Sequence, residues 1–401
     1  MKTVLELRCP PLALVRIGLV GLGRRGMKTL ERYAHIHGAV INCIADTDAA
    51  RLEEANERLE RSGRPRAVAL AGAEAWHEVC ARADVDLVYI CTDWATHCEM
   101  AVEAMRRGKH VAVEVPAATS VDECHRLVET AEATRRHCFM TENCCYDHFA
   151  LATLEMAREG LLGEVTHCEG AYIHNLRRDF GLAAAEGAVA RNWMERSCAR
   201  HEGNPYPTHG IGPIGWLLGL HRGDRMDYLV SLTSRGCGVD NLLGRVNSTL
   251  IRTVRGASIL LQLDVTTPRP YSRLQTVCGT DGFAQKYPEP ALRTAAVENV
   301  LTGEEALAEA RRHMHSHAAR LWREGHDLGV PNEMNYTMDA RLIYCLRHGL
   351  PLDIDVYDAA EWSCLAELSE RSAREGSRPV SVPDFTRGHW NDLSAHRMYE
   401  Q

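Results

Sequence analysis

The residues best suited to moving protons stand in one short segment, Gly203-Asn204-Pro205-Tyr206-Pro207-Thr208-His209-Gly210. Histidine has the ordinary pKa nearest neutrality, so His209 can take and return a proton. Tyr206, three residues earlier, can hydrogen-bond a substrate hydroxyl or pass a proton on. The Gly/Pro-rich setting predicts a loop that aims His209 into a pocket just before an apolar helix over residues 214–220. By residue type alone, His209 fits local packing or capping equally well, and Tyr206 fits a buried ring with one satisfied hydroxyl.

A second constellation points to a dinucleotide. Gly21-Leu22-Gly23-Arg24-Arg25-Gly26 follows a β-branched run and opens a helical pattern. The first glycine allows the tight turn, the second lets backbone approach a pyrophosphate, and the third allows close helix packing. The helix N-terminus adds free N–H groups and a positive dipole end for the anion. Asp46 closes the next strand at the spacing where a carboxylate accepts ribose hydroxyls and repels a 2′-phosphate, which favours NAD over NADP. An N-cap for the helix after it is the other reading of Asp46. Thr92, Trp94 and His97 follow one later strand and Glu114-Val115-Pro116 another, at the carboxyl ends where open α/β sheets bind ligands. Glu114 fits a contact to substrate or nicotinamide ribose, or a structural carboxylate bonded to backbone.

These residues need elements to hold them. Residues 15 to about 142 alternate short apolar runs (15–20, 39–45, 86–91, 110–115, 137–141) with amphipathic stretches such as 48–61 and 98–107, the pattern of a doubly wound parallel sheet. From about 146 the texture changes. A helix over 149–159 precedes strand-like runs at 166–173, 227–233, 248–254, 258–266 and 274–278 without intervening helices, which predicts an antiparallel sheet. Helices are predicted at 303–325, 334–348 and 357–373. The expected fold is thus α/β, with an NAD-binding Rossmann domain over 1–145 and a substrate-binding α+β domain over 146–401 built on a large, mainly antiparallel sheet. The C-terminal segment is expected to pack back on the first domain.

Composition narrows the function classes. In 401 residues, Lys+Arg 46 against Asp+Glu 54 gives a net charge of −8, so there is no basic excess for phosphate backbones and nucleic acid is not an expected partner. The 15 cysteines are scattered through apolar stretches (Cys43, Cys91, Cys138, Cys345), as reduced buried thiols are, which predicts a cytoplasmic location. Residues 1–11 hold no continuous apolar core, and no membrane span is expected.

The two-domain plan, the glycine fingerprint and Glu114-Val115-Pro116 resemble the Gfo/Idh/MocA oxidoreductases, whose usual Glu-Lys-Pro carries a catalytic Lys. Val115 stands in its place and cannot carry a proton. Glu114-Val115-Pro116-Ala117-Ala118, Glu142-Asn143-Cys144-Cys145-Tyr146, residues 163–172, residues 203–213 and residues 279–287 resemble more closely the NAD-dependent α-N-acetylgalactosaminidases of glycoside hydrolase family 109. Met194 departs from that pattern, where family members commonly have Arg; Arg196 is nearby. The resemblance implies catalytic roles for His209, Tyr206, Tyr146 and Glu114, substrate contacts for Tyr287, Tyr206 and Arg196, and NAD contacts for Gly21, Gly23, Arg24, Arg25, Gly26, Asp46, Thr92, Trp94, His97, Glu114 and Asn143. It also implies a small glycoside or oligosaccharide substrate and a homo-oligomer.

Such an enzyme is an exception to paired-carboxylate glycosidases. Oxidation of the sugar at C3 acidifies the C2 proton, its loss expels the anomeric substituent, water adds, and re-reduction restores the sugar with no net use of NAD. The competing expectations are a sugar, cyclitol or glycoside 3-dehydrogenase releasing NADH, and a non-catalytic NAD-dependent sensor. No metal is expected. His313, His315 and His317 lack accompanying ligands in a recognised spacing, and Cys144-Cys145 is no redox pair. Asp353 and Asp355 are expected to cap the following helix.

Overall fold

The computed structural model describes residues 2–182, 192–234 and 242–394. The chain opens with β1 (Val15–Val20), α1 (Arg24–Tyr33), β2 (Ala39–Asp46), α2 (Ala49–Arg61), β3 (Val68–Ala71), α3 (Ala75–Ala81), β4 (Leu87–Ile90), α4 (Trp94–Arg106), β5 (His110–Val113), α5 (Val121–Thr134) and β6 (Cys138–Met140). These strands form a six-stranded parallel sheet in the order β3-β2-β1-β4-β5-β6. Helices cover both faces, so β4 and β5 are buried throughout, which is why residues 87–90 and 111–113 read as unbroken apolar runs. The chain reverses direction across the sheet between β1 and β4, leaving a crevice at their carboxyl ends. β3, four apolar residues long and mostly exposed, is too short to stand out in the sequence.

After a short 3-10 turn over Asn143–Tyr146 come α6 (His148–Arg158), β7 (Val165–Ile173), α7 (Trp193–Arg200), α8 (Thr208–Leu218), β8 (Met226–Thr233), β9 (Val246–Thr253), β10 (Ser258–Asp264), β11 (Ser272–Gly279), β12 (Phe283–Gln285), β13 (Ala291–Thr294) and β14 (Val297–Thr302). The remainder is α9 (Gly303–Arg312), α10 (Ser316–Asp327), α11 (Glu333–His348), α12 (Val356–Ser363), α13 (Leu365–Arg374) and β15 (Val380–Ser381). A nine-stranded sheet runs β14-β13-β12-β11-β7-β10-β9-β8-β15. Its neighbours are antiparallel except β7 and β10, which pair in parallel. The fold class is that expected from sequence, with differences in detail. The helix expected over 303–325 breaks at His313–His315, and that expected over 357–373 breaks at Cys364. Asp355 caps α12 by accepting from the Tyr357 and Asp358 N–H groups, but Asp353 instead pairs with Arg341.

The C-terminal helices bind back to the first sheet through polar contacts. Arg32 of α1 meets Asp339 of α11 at 2.8 Å, and the Tyr89 hydroxyl donates to the same carboxylate. The Ala117 N–H donates to Ser363 and the Val121 N–H to Glu367. Beyond α8, buried His221 lies 3.1 Å from Glu361, 3.3 Å from Asp358 and 3.5 Å from Asp355, with Arg222 paired to both aspartates. Burial and Arg222 push the His221 pKa down, but Asp358 and Asp355 outweigh them and lift it to about 9. The histidine therefore stabilises the fold fully below its unfolded pKa near 6.5 and loses that contribution as pH rises through about 9. Urea melts of the protein should show stability falling between those two pH values, and His221→Gln should flatten the fall. An unchanged slope in the variant would show that another group carries it.

Candidate active site

The glycine fingerprint forms the turn between β1 and α1. Gly21 has φ +89°, and a Cβ there would lie 2.7 Å from the Cys91 carbonyl oxygen, while one on Gly26 would lie 1.9 Å from the Gly21 carbonyl oxygen. Protein packing thus requires those two glycines. Gly23 is different: a Cβ there would meet nothing within 4 Å, so its small size leaves open space beside the helix end. No side chain caps α1, and its first turn holds no acidic residue. Asp46 flanks this turn, accepting from the Leu22 N–H at 2.6 Å, and its neighbour Asp48, not Asp46, caps α2. Across the crevice, Glu114 pairs with Arg25 at 2.9 Å and keeps its other oxygen buried without a partner. An open cradle, an uncapped helix N-terminus, a ribose-type carboxylate and an orphaned acceptor fit a dinucleotide.

Beside the crevice, the chain assembles a proton-handling cluster from distant segments. His209 is the second residue of α8, not part of a loop as expected. The helix begins early and accommodates Pro213, which cannot donate to the His209 carbonyl. The His209 Nδ1 lies 2.7 and 2.9 Å from the two oxygens of Glu142 and 3.1 Å from the Cys144 sulfur. A carboxylate only accepts, so the ring proton sits on Nδ1, and Nε2 faces the Tyr206 hydroxyl at 3.0 Å as the free base. Burial opposes charge on Glu142, but His209 and the Cys144 N–H outweigh it and hold its carboxyl at about 2. Burial likewise pushes the His209 pKa below the usual imidazole range, against the pull of Glu142. The cluster rests as a neutral imidazole on a carboxylate. Burial also raises the pKa of Tyr206 and Tyr172, keeping both phenols protonated.

Aromatic rings wall the cluster. Trp94, at the start of α4, stacks on Tyr206 with ring centres 5.3 Å apart and meets Trp193 edge-on at 5.2 Å. Tyr172 lies edge-on to Tyr206 at 5.0 Å and 5.3 Å from His209, and its hydroxyl is 3.0 Å from His174. Tyr271 continues the wall from His174 to Tyr287. Arg273 donates to the Tyr271 hydroxyl and touches Cys144.

The other expected residues divide. Thr92 packs against the Gly21 turn, and Arg24 is exposed beside the turn, 3.4 Å from Asp179. His97 has Nδ1 2.8 Å from the Pro116 carbonyl and Nε2 3.2 Å from that of Thr92, so it ties the Thr92 loop to the Glu114 loop rather than facing open space. Asn143 is buried beside Cys144, and Arg196 is exposed on α7, whose Met194 packs against the cluster around Trp94. Tyr146 is not brought to His209. Its fully buried hydroxyl lies 3.2 Å from Asp353, the partner of Arg341, and its ring meets Trp216, so the catalytic expectation gives way to a structural position. Conversely, Glu142, Tyr172 and Arg273 carry no catalytic expectation from sequence. For Glu142 a signal exists: it follows β6 at the carboxyl edge of the sheet, as Glu114 follows β5. Arg273 has none, since only the return of β11 to β7 brings it near Cys144.

Comparison with known proteins agrees across the whole chain. Residues 15–142 match the oxidoreductase family with an NAD-binding Rossmann fold, and residues 146–392 match the glycosyl hydrolase 109 C-terminal domain. The chain is 52% identical over 412 residues to an alpha-N-acetylgalactosaminidase of Bacteroides fragilis, covering 98% of this chain and 97% of that protein. It is 51% identical over 407 residues to glycosyl hydrolase family 109 protein 2 of Phocaeicola vulgatus, covering 97% and 98%. Among solved structures, an NAD binding oxidoreductase from Klebsiella pneumoniae superposes with a TM-score of 0.72 at 16% identity, over 93% of this chain and 100% of that one. A levoglucosan dehydrogenase in complex with NADH and levoglucosan gives 0.67 at 18%, over 92% and 100%. At those identities the likeness is one of fold.

Proposed function

Since the chain belongs to the glycosyl hydrolase 109 family and carries its NAD-binding domain, we propose that it is a redox-neutral exo-glycosidase acting on α-linked N-acetylgalactosaminides. The carrying observation is the Glu142–His209–Tyr206 relay, whose basic nitrogen faces a phenol beside the dinucleotide crevice. NAD, when bound along Gly21–Gly26 with its ribose at Asp46, supplies a reversible hydride acceptor for a sugar carbinol. The protein's residues handle the protons. Tyr206 contacts the carbinol hydroxyl and passes its proton to the His209 Nε2, while Glu142 stabilises the imidazolium that forms. The ketone acidifies the adjoining C–H; transfer of that proton to a base expels the anomeric group, water adds in its place, and return of the hydride and proton restores the sugar. The rings of Trp94, Tyr172 and Tyr206 exclude bulk water, and Tyr287 and Arg196 are the expected outer sugar contacts. Val115 argues against a net dehydrogenase of the usual form, because it replaces the lysine that the motif usually offers.

The test uses purified protein loaded with NAD and p-nitrophenyl α-N-acetylgalactosaminide, following nitrophenol and NADH absorbance together. Many turnovers of nitrophenol without NADH accumulation are expected. NADH rising in step with a keto product would make the protein a dehydrogenase.

The proposal includes a homo-oligomer in the cytoplasm, with neither nucleic acid nor membrane as partner. Tyr228, Leu232 and Leu250 stand exposed on one face of β8 and β9, an apolar surface of the kind a second copy covers. The described cysteines are free, which suits a reducing compartment. Among the described residues, no helix is long and apolar enough to cross a membrane. Light scattering should report a multiple of the 44.7 kDa chain mass, and a monomer would remove the oligomer from the proposal.

A further inference from the structure

At the opposite edge of the first sheet, away from the crevice, three metal-ligand side chains meet. Cys9 comes from the segment preceding β1, His110 opens β5, and His137 immediately precedes β6. One ligand atom of each lies within 4.8 Å of the other two. The imidazole rings are tilted with centres 5.1 Å apart, and the His137 N–H donates to the His110 Nδ1 at 3.2 Å. His137 is only 6% exposed, yet its Nε2 has no hydrogen-bond partner. A buried ring nitrogen left unpaired keeps its desolvation cost uncompensated, so the arrangement calls for a group that satisfies it. The Cys9 thiol has only a weak contact, 3.7 Å to the Arg135 carbonyl.

We propose that Cys9, His110 and His137 bind a zinc ion that fastens the N-terminal segment to the floor of the first sheet. Thiolate sulfur and neutral imidazole nitrogen are zinc ligands, half-buried Cys9 leaves the fourth position to water, and His110 offers its lone pair by exchanging the bond it accepts from the His137 backbone N–H for the metal. Tetrahedral bonds of about 2.0–2.3 Å place donors ~3.5 Å apart, so ligand atoms that lie within 4.8 Å of one another need only a small closure to reach that spacing. Binding converts the Cys9 S–H to a zinc-bound thiolate and releases its proton to solvent. The nearby guanidinium groups oppose a cation, but both are engaged elsewhere. Arg135 donates to the Lys2 and Thr3 carbonyls, and Arg136 to those of Gly108 and Arg135. Other ties already bring the segment close: the Leu12 N–H donates to Leu346 and the Val4 N–H to the Tyr357 hydroxyl. The ion therefore closes a nearly formed site.

The full-length protein, stripped with chelator, is titrated with cobalt(II) and zinc(II). Cobalt should give a thiolate charge-transfer band that zinc abolishes. Glu142, Cys144 and His209 form the rival donor cluster, so variants separate the two. Cys9→Ser should lose the band, Cys144→Ser should keep it, and His137→Gln, which leaves the thiol in place, should weaken binding by at least about tenfold. Zinc should raise the Tm of the unsubstituted protein and not that of Cys9→Ser. No band in the unsubstituted protein, or a band that survives Cys9→Ser and disappears in Cys144→Ser, would overturn the assignment.

Discussion

Replacing His209 with Asn is expected to lower glycoside turnover by about 10²–10⁴-fold while NAD binds as before. Asparagine can still donate toward Glu142, so the buried carboxylate keeps a partner, but nothing replaces the Nε2 base facing Tyr206. Tyr206→Phe removes the other half of the relay. Because the two groups move one proton, the double variant should be little worse than the slower single one. Steady-state rates, with NAD affinity measured by calorimetry, check both points. Since burial pushes the His209 pKa below the ordinary imidazole range, the acid limb of kcat/KM should fall below that range too. Glu142→Gln, which loses the anchoring charge, should shift that limb further down. Full activity in His209→Asn would sink the relay.

Removing the Asp339 carboxylate is expected to destabilise the fold by about 3–5 kcal/mol, the cost of leaving a buried charge without its partner. Arg32 is 3% exposed, and its guanidinium is held by Asp339 and by the Thr29 hydroxyl. The pair joins α1, which ends the dinucleotide turn, to α11 of the C-terminal part. Asp339→Ala should therefore lower the urea midpoint and loosen NAD binding together, whereas the Arg32→Met, Asp339→Leu double variant should recover much of the stability. A midpoint unmoved by Asp339→Ala would mean that water or rearrangement supplies Arg32 with a new partner.

The contrast between Tyr146 and Glu142 explains what was legible. Both lie in Glu142-Asn143-Cys144-Cys145-Tyr146, a segment whose residue types suit a site. Which of the two faces His209 depends on how a 3-10 turn projects each side chain, and that turn sends Glu142 toward α8 and Tyr146 toward Asp353. His97 shows the same dependence: its place after β4 suits a ligand contact, but two backbone carbonyls claim its nitrogens. The split of the last long helix at Cys364 was equally hidden, since the apolar spacing continues through it while the backbone turns.

The sequence by itself determined the parallel sheet and the dinucleotide turn. These rest on backbone conformation and on residues adjacent along the chain: Gly21 needs its positive φ, Gly26 its close approach, and Asp46 follows from the end of β2. Tertiary structure alone decided that Glu142 anchors His209 across 67 positions, that Arg273 reaches Cys144 across 129, and that Cys9 meets His110 and His137. Local sequence restricts φ and ψ residue by residue, but a side chain's partner is set by which distant elements pack against it, and no spacing along the chain encodes that.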